Sequence, residues 1–215
     1  MEARPDFKNM SAKKKLEYVW DYYKFHIGGI LVLAITLGSI IHHYATLKEP
    51  VIDMIFMNAQ SVYEDAVGLD EFFDSQGYDS SSQEIHITTS LSFALTEDSY
   101  QVDYYTVQTL SAMFAVGDVD IFAAPWQLYD EYAPAGYVAD LRTVFTEDEL
   151  ALYKDQVLYT TSTETGEIMP CGFDFSDNRF LQEFGYYTDN CHMGIPANAD
   201  GAERAKEFLL YLLNY

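Results

Sequence analysis

Paired carboxylates are the side chains in this 215-residue chain that could carry out acid–base chemistry. They occur at Asp118/Asp120, at Asp174/Asp177 and in the run 147–149. Two carboxylates that face one cleft can hydrolyse a glycosidic bond, so a hydrolase of the cell envelope is one hypothesis. With 34 acidic residues such pairs also arise by chance, and the run 147–149 suits the first turn of a helix. We therefore expect a protein that is not an enzyme.

Sequence motifs for catalysis or metal binding are missing. The chain contains no HExxH, GxSxG, P-loop or GxGxxG pattern. Oxygen ligands at Asp174, Asp177 and Asn178 suggest a calcium site, but the spacing of an EF-hand is absent. Cys171 and Cys191 are either disulfide partners outside the cell or two free, buried thiols. The sequence predicts neither a metal site nor a cofactor.

Charge is distributed unevenly along the chain. Residues 1–26 hold six basic and four acidic side chains, whereas residues 49–215 hold five basic and thirty acidic ones, a balance of −25. Such a domain repels phosphate backbones, which argues against nucleic-acid binding. The acidity serves either solubility alone or the attraction of cationic ligands.

An uncharged stretch between Lys24 and Lys48 is long enough to cross a membrane as a helix. We predict a transmembrane helix at residues 25–47, with a belt of aromatic residues at its start, namely Tyr18, Trp20, Tyr22, Tyr23 and Phe25. Three lysines at 13–15 precede it, so the positive-inside rule places a juxtamembrane amphipathic segment (1–24) in the cytoplasm and residues 50–215 outside. A cleaved signal peptide is the alternative, although no clear A-x-A site follows.

Apolar runs alternate with helical patterns in the first part of the outer domain. The order is strand, helix, strand, helix, strand, at residues 51–58, 62–76, 84–90, 101–116 and 119–124. Continuous apolar strands separated by helices are typical of a parallel sheet covered on both faces. The predicted fold class is α/β, with a single transmembrane helix followed by one three-layer domain whose mainly parallel sheet has four to five strands.

The second part of the outer domain predicts shorter elements. A short helix is expected at 126–133, and Thr146 with Glu149 forms a capping box for a helix that runs on to residue 158. Residues 168–176 read as an edge strand, because Pro170 and Gly172 interrupt it. A short strand at 192–197 and an amphipathic helix at 202–214 follow.

Residues 117–141 combine a small-residue turn, an apolar strand, a helix and a closing glycine motif. The residues that carry this pattern are Gly117, Asp118, Val119, Asp120, Ile121, Phe122, Gly136, Tyr137, Asp140 and Leu141. The segment resembles bacterial extracellular solute-binding proteins of ABC importers (family 1-like), which have the type II periplasmic binding fold. The tail 194–214 is similar to the same family. About 165 residues are too few for that family's two lobes, so the resemblance implies one lobe anchored by a helix.

Ligand clefts in open α/β sheets form beyond the carboxyl ends of the strands. The predicted ligand contacts are therefore the residues that follow the strands, namely Asn58, Gln60, Thr89, Ser90, Pro125, Trp126 and Asp174. Trp126 offers a large apolar face to sugars, cations or aromatic groups, but it could instead start a helix and pack against Tyr129 or Tyr137.

Two functions fit these observations. The first is a membrane-anchored extracytoplasmic binding or accessory module for a small solute. The second is a structural or protein-interaction subunit of a membrane complex, because tyrosine is favoured at interfaces and the chain contains eighteen. Tyrosines around a cleft would favour the first function, and a flat exposed patch of tyrosines would favour the second.

Overall fold

A computed structural model describes residues 11–60, 68–95, 100–101 and 103–215, apart from the side chains of Tyr18, Val19 and Leu95. The chain divides into two compact units, Met1–Leu47 and Lys48–Tyr215. Residues 62–67 of the helix predicted at 62–76 lie outside the described residues, and so do residues 1–10 of the predicted cytoplasmic segment.

The first unit contains one long helix, α1 (Ala12–Thr46, 35 residues). Its part from Trp20 to Thr46 is 27 residues long, has a mean hydropathy of 1.9 and leaves its apolar side chains exposed. At 1.5 Å per residue this part is about 40 Å long, more than the hydrocarbon thickness of a bilayer. By length and composition α1 is therefore able to span a membrane. Its described amphipathic start and its apolar part form one continuous helix.

The second unit is built around a six-stranded mixed sheet with the order β2-β1-β5-β8-β7-β6. Its strands are β1 (Glu49–Phe56), β2 (Gln83–Thr88), β5 (Ile121–Ala124), β6 (Val157–Thr161), β7 (Ile168–Asp174) and β8 (His192–Gly194). β1 pairs in parallel with β2 and β5, whereas β8 is antiparallel to both β5 and β7, and β6 is antiparallel to β7. Strands β3 (Ala94–Leu95) and β4 (Tyr100–Gln101) form a separate antiparallel pair.

The α/β class is confirmed, whereas the sheet has six strands instead of the predicted four to five and is only partly parallel. Three of the five strand pairings in this sheet are antiparallel, and residues 175–191 return the chain from β7 to β8 at the same end of the strands. A parallel return would need a crossover to the opposite end. The helix expected to run to residue 158 ends earlier, as α5 (Glu147–Leu152), and Val157 begins β6 instead.

The edge position predicted for residues 168–176 is also wrong. β7 lies between β8 and β6, so β6 and β2 are the edges of the sheet. Pro170 is tolerated in this interior strand because the register shifts between Leu158 and Tyr159, where Cys171 is the extra residue on the β7 side. Such bulges are among the few places where a sheet accepts a proline.

Helices cover both faces of the sheet. Alternate residues of β1 point to opposite sides, which separates two apolar clusters. Ile52, Met54 and Phe56 pack towards α2 (Asp70–Ser75), α5, α6 (Arg179–Glu183) and α7 (Ala202–Asn214). Ile55 and Met57 pack towards α3 (Tyr104–Val116) and α4 (Trp126–Tyr132). The second unit therefore consists of three layers.

Local sequence signals fix several helix ends. Asp103 precedes α3, and its carboxylate accepts a hydrogen bond from the Thr106 backbone N–H at 2.8 Å. Gly117 ends α3 with a φ of +86°, a conformation that glycine adopts without strain. The predicted capping box is present, with Thr146 and Glu149 bonded reciprocally at the start of α5.

Candidate functional site

The carboxyl ends of four strands meet at one end of the sheet, which we call the carboxyl edge to distinguish it from the edge strands β2 and β6. β1, β2 and β5 are parallel, and β7 runs in the same direction as β5 because both are antiparallel to β8. The strand order reverses between β1 and β5, since β2 lies on one side of β1 and β5 on the other. A topological switch point of this kind is where open α/β sheets form ligand crevices.

The chain's own side chains fill this switch point. The buried Tyr187 hydroxyl donates to the Met57 carbonyl at 2.7 Å and approaches the Ala123 carbonyl at 3.4 Å, which joins the ends of β1 and β5. Asn190 accepts a hydrogen bond from the Trp126 backbone N–H at 2.8 Å and donates to Gln127 at 3.0 Å. Residues 186–190 therefore occupy the place where the sequence predicted a cleft.

Four of the predicted ligand contacts lie on the β1 and β2 side of this edge. Asn58 donates to the Phe93 carbonyl at 2.9 Å and accepts from the Phe93 N–H at 2.7 Å, so both ends of its side-chain amide bind the backbone of Phe93. Gln60 donates to the Thr188 hydroxyl at 3.1 Å. Thr89 is buried, and its hydroxyl has no hydrogen-bond partner among the described residues, whereas Ser90 is exposed.

An open depression lies on the other side of the edge, between α4 and β6. Its volume is about 290 Å³. Trp126 and Asp130 of α4 form one wall, Tyr159 of β6 contributes to the opposite wall, and Cys171 and His192 form part of the floor. Trp126 is 44% exposed and Tyr159 is 61% exposed, so both aromatic rings are accessible from solvent.

Tyr129 fixes the floor of this depression. Its hydroxyl donates to the Cys171 carbonyl at 2.8 Å, and its ring stacks on Phe122 with centroids 5.8 Å apart. Gly172 of β7 and Gly194 of β8 leave the space for that hydroxyl, because a Cβ at either position would overlap it. The floor is therefore rigid, and it depends on two neighbouring strands having glycine at facing positions.

The electrostatics of the depression disfavour anions. Burial lowers the pKa of His192, while Asp174, whose Oδ1 is 3.6 Å from His192 Nε2, and Asp130 offset part of this effect. His192 is therefore mainly neutral at neutral pH. Burial raises the pKa of the Cys171 thiol to about 12, so that group is neutral as well. The described lining includes the Asp130 carboxylate and no Lys or Arg.

Of the seven predicted contacts, Trp126 is the one that lines the depression. Pro125 is buried directly before it, and Asp174 lies one side chain away, beyond His192. Asp174 also accepts hydrogen bonds from the Ser176 N–H and hydroxyl at 2.9 and 2.6 Å. Sequence reasoning missed Asp130, Tyr159 and His192 as site residues, although Asp130 lies in the helix predicted at 126–133 and His192 begins the strand predicted at 192–197.

The paired acids of the sequence have separate surroundings. Asp120 is buried beside Gly201 and Arg204, and burial raises its pKa, whereas Asp118 is exposed. Glu149 contacts the Lys206 ammonium at 2.9 Å. Asn178, a candidate calcium ligand, caps α6 and donates to the Leu212 carbonyl at 2.8 Å. The described residues contain no group of three or more His, Cys, Asp or Glu that could hold a metal ion.

Both cysteines are free thiols and both are buried. This arrangement corresponds to the second of the two alternatives that the sequence left open. Burial raises the pKa of Cys191 as well as that of Cys171, so neither thiol is a reactive nucleophile at neutral pH.

Comparison of this chain with protein-family models, with curated proteins and with solved structures finds no match. The likeness of residues 117–141 to solute-binding proteins therefore stays a prediction.

Proposed function

We propose that this chain is a membrane-anchored module that binds a small solute in the depression beside Trp126. In this proposal α1 holds the chain in the membrane, the lysines at 13–15 keep its start in the cytoplasm, and residues 50–215 lie outside the cell. The observation that carries the proposal is the pair of exposed aromatic rings, Trp126 and Tyr159, over a rigid floor.

The lining favours a particular chemical class of solute. Trp and Tyr faces attract flat apolar groups and organic cations, and the Asp130 carboxylate adds an attraction for positive charge. An acidic domain also raises the local concentration of cations. The expected solute is a small organic cation with a methylated or aromatic surface. We expect weak binding, because the depression is open and tight pockets bury most of their ligand.

Trp126 can report on this binding directly. The chain has two tryptophans, so a Trp20→Phe variant of the full chain in detergent leaves Trp126 as the only indole emitter. Tetramethylammonium and benzylamine should change its fluorescence saturably, and acetate and benzoate should not. Asp130→Asn should weaken the response to both cations, whereas the matched control Asp177→Asn, at another exposed acid, should leave it unchanged.

Calorimetry on the full chain provides the second measurement. Trp126→Ala should abolish cation binding, and Trp126→Phe should retain part of it, because a phenyl ring still offers an aromatic face. If Trp126→Ala leaves the affinity for every detected ligand unchanged, or if the anions bind as well as the cations, the proposed site is wrong.

The alternative of a structural or protein-interaction subunit has an observation of its own. The most exposed tyrosines of the outer domain do not surround the depression. Tyr104 and Tyr105, which are 77% and 72% exposed, belong to α3 and are not among the residues that line it. An exposed pair of tyrosines on one helix is typical of a surface that contacts another protein.

A further inference from the structure

The outer face of α3 has the composition of a buried surface. This 13-residue helix contains no charged side chain, although it belongs to a domain with a balance of −25. Thr106, Leu110 and Phe114 are buried against the sheet. The opposite side exposes uncharged residues, namely Tyr104, Tyr105, Val107, Gln108, Ser111, Ala112, Ala115 and Val116. The solvent side of a helix normally carries charged residues, so an uncharged and largely apolar outer side is unusual.

A second depression adjoins the carboxyl end of this face. Its volume is about 250 Å³, and it lies between Ala112, Met113 and Val116 of α3 and the two carboxylates of Asp53 and Asp118. No Lys or Arg is found among the described residues that line it. The depression therefore combines an apolar wall with a negatively charged one.

The Asp53 carboxylate belongs to the lining of this depression. Its Oδ2 is 3.0 Å from His86 Nδ1, but its Oδ1 is buried and has no hydrogen-bond partner among the described residues. A buried carboxylate oxygen without a donor is costly, and native structures rarely leave one unpaired. The Asp53 carboxylate, whose side chain is 19% exposed, therefore has acceptor capacity beyond its contact with His86.

The neighbouring sheet surface is also accessible. His86 is the register partner of Asp53, so β2 directs Glu84, His86 and Thr88 to the same side as Asp53. Glu84 is exposed, and the other two are half-buried. The outer face of α3 and this strip of β2 thus flank the depression from two sides.

We propose that the outer face of α3, together with the depression at Asp53 and Asp118, is a docking surface for an apolar helical segment of a partner protein that carries a Lys or Arg. The small residues Ser111, Ala112 and Ala115 let another helix approach closely. The basic side chain enters the depression and pairs with the carboxylates of Asp53 and Asp118. Two carboxylates and no cation in the described lining provide the charge complementarity for that residue.

The same charges disfavour two other occupants. A second copy of this chain would set one acidic domain against another, and its own α3 offers no Lys or Arg. Anionic lipid headgroups would meet Asp53 and Asp118 with like charge. A basic, apolar protein segment is the occupant that the chemistry of this surface favours.

Site-specific photocrosslinking in the cells that produce the chain tests this proposal. A benzoylphenylalanine at Val116 of the full chain should crosslink to one partner peptide, which mass spectrometry then maps. The same probe at Leu152, an exposed apolar residue on α5, is the control position. The mapped peptide should have helical apolar spacing and contain a Lys or Arg. Asp53→Asn should reduce the crosslinked product about tenfold or more, because it removes a partly buried charge partner.

Charge-matched variants keep this experiment decisive. Asp118→Asn, at an exposed residue, should reduce the crosslinked product by a smaller factor. If Asp53→Asn lowers the melting temperature, its loss of product could come from unfolding, and Asp118→Asn then decides the result. Asp177→Asn, at an exposed acid outside the surface, should have no effect. A product with a second copy of this chain, a peptide without a basic residue, no product, or equal yields for all three variants would overturn the proposal. Cation binding at Trp126, measured on the same variants, reports on the proposed solute site separately.

Discussion

The helices α3 and α7 have the same length of 13 residues and pack on opposite faces of the same sheet, yet they meet solvent differently. α7 buries Ala205, Phe208, Leu209 and Leu212, and its outer side carries charges such as Glu203, Arg204 and Glu207. α3 also buries one side against the sheet, but its outer side has no charge at all.

This difference distinguishes the residues that folding requires from those that it does not require. The charged outer side of α7 is what a helix at the end of a domain needs in water. The apolar outer side of α3 adds nothing to the described core, so folding alone does not explain its composition. Comparing the two helices therefore singles out the outer side of α3 as a surface that folding does not require. The following substitutions test the distinction between the inner and outer sides.

The largest effects should come from the inner sides, where the two helices are equivalent. Phe208→Ala in α7 and Phe114→Ala in α3 should each reduce the free energy of unfolding by about 3–5 kcal/mol, because each removes a buried ring. Denaturant unfolding of the full chain in detergent, followed by near-ultraviolet circular dichroism of the tyrosines, measures both. A cost below about 1 kcal/mol for Phe114→Ala would mean that the sheet does not hold α3 in place.

The next effect concerns the end of α3. Gly117 has a φ of +86°, and a Cβ there would lie 2.9 Å from the Asn198 carbonyl oxygen. Gly117→Ala should therefore cost about 2 kcal/mol through backbone strain and overlap together. Gly77→Ala is the matched control, since φ is +70° but no atom lies within 4 Å of its Cβ. The control should cost about 1 kcal/mol, and equal losses would show that the contact with Asn198 is unimportant.

A moderate effect is expected at the start of α3. Asp103→Ala removes the side-chain acceptor for the Thr106 N–H and should cost about 1 kcal/mol. α7 begins at Gly201 without any side-chain cap, so it offers no equivalent substitution. Asp155→Ala, at an exposed acid outside any helix, serves as the control in the same unfolding measurement and should be nearly neutral.

A smaller effect depends on pH and involves α7. The Lys206 ammonium, together with hydrogen bonds from Thr146, lowers the pKa of Glu149 to about 2. A carboxylate whose pKa is lower in the folded state stabilises the fold above its ordinary pKa of about 4.5, and that contribution is lost as the pH falls towards 2. Glu149→Gln should cost less than about 1 kcal/mol at pH 7, because the pair is partly exposed.

The test is a pair of unfolding curves as a function of pH. The difference in stability between Glu149→Gln and the parent chain should shrink between pH 4.5 and pH 2. A constant difference over that range would mean that the Glu149 charge does not contribute. Asp120 acts in the opposite sense, because burial raises its pKa, so its contribution decreases as the pH rises.

The smallest effect should occur on the outer side of α3. Val116→Ser and Tyr105→Ser should change the free energy of unfolding by no more than about 0.5 kcal/mol, as should Glu203→Ser on the outer side of α7. The same valine substitution should abolish docking if the proposed surface is real. A stability loss above about 1.5 kcal/mol at Val116 would mean that the chain covers this face itself, and the comparison of the two helices would fail.

The parallel half of the sheet could be predicted from the sequence. The runs 51–58, 84–90 and 119–124 correspond to β1, β2 and β5 within about two residues. The first and third are mostly apolar, as buried parallel strands are, and the second alternates because β2 buries one face. The antiparallel half could be predicted only in part: the runs 168–176 and 192–197 correspond to β7 and β8, whereas β6 and the antiparallel pairing were not predicted. Val157 and Leu158 continue the helical spacing that begins at Leu150, and nothing local shows that they pair with β7. β8 has three residues, too few to show which strands it pairs with.

The candidate site was predictable to the same limited extent. Trp126 follows an unmistakable strand, so its place at the edge of the sheet could be inferred. That Tyr187 fills the switch point could not be inferred. Tyr187 lies more than sixty residues after Trp126, and it donates to backbone carbonyls, which carry no sequence signal. Only the fold shows that the accessible space lies between α4 and β6.

The position of β8 has a consequence for how the chain is made. Until residues 192–194 leave the ribosome, the strands synthesised before them can form only two separate sheets, one from β2, β1 and β5 and one from β6 and β7. Each of those nascent sheets has an unpaired edge on β5 or β7, and such edges invite pairing with other chains. Premature termination between Asp174 and His192 would leave both edges open, so chains that end there should aggregate or be degraded.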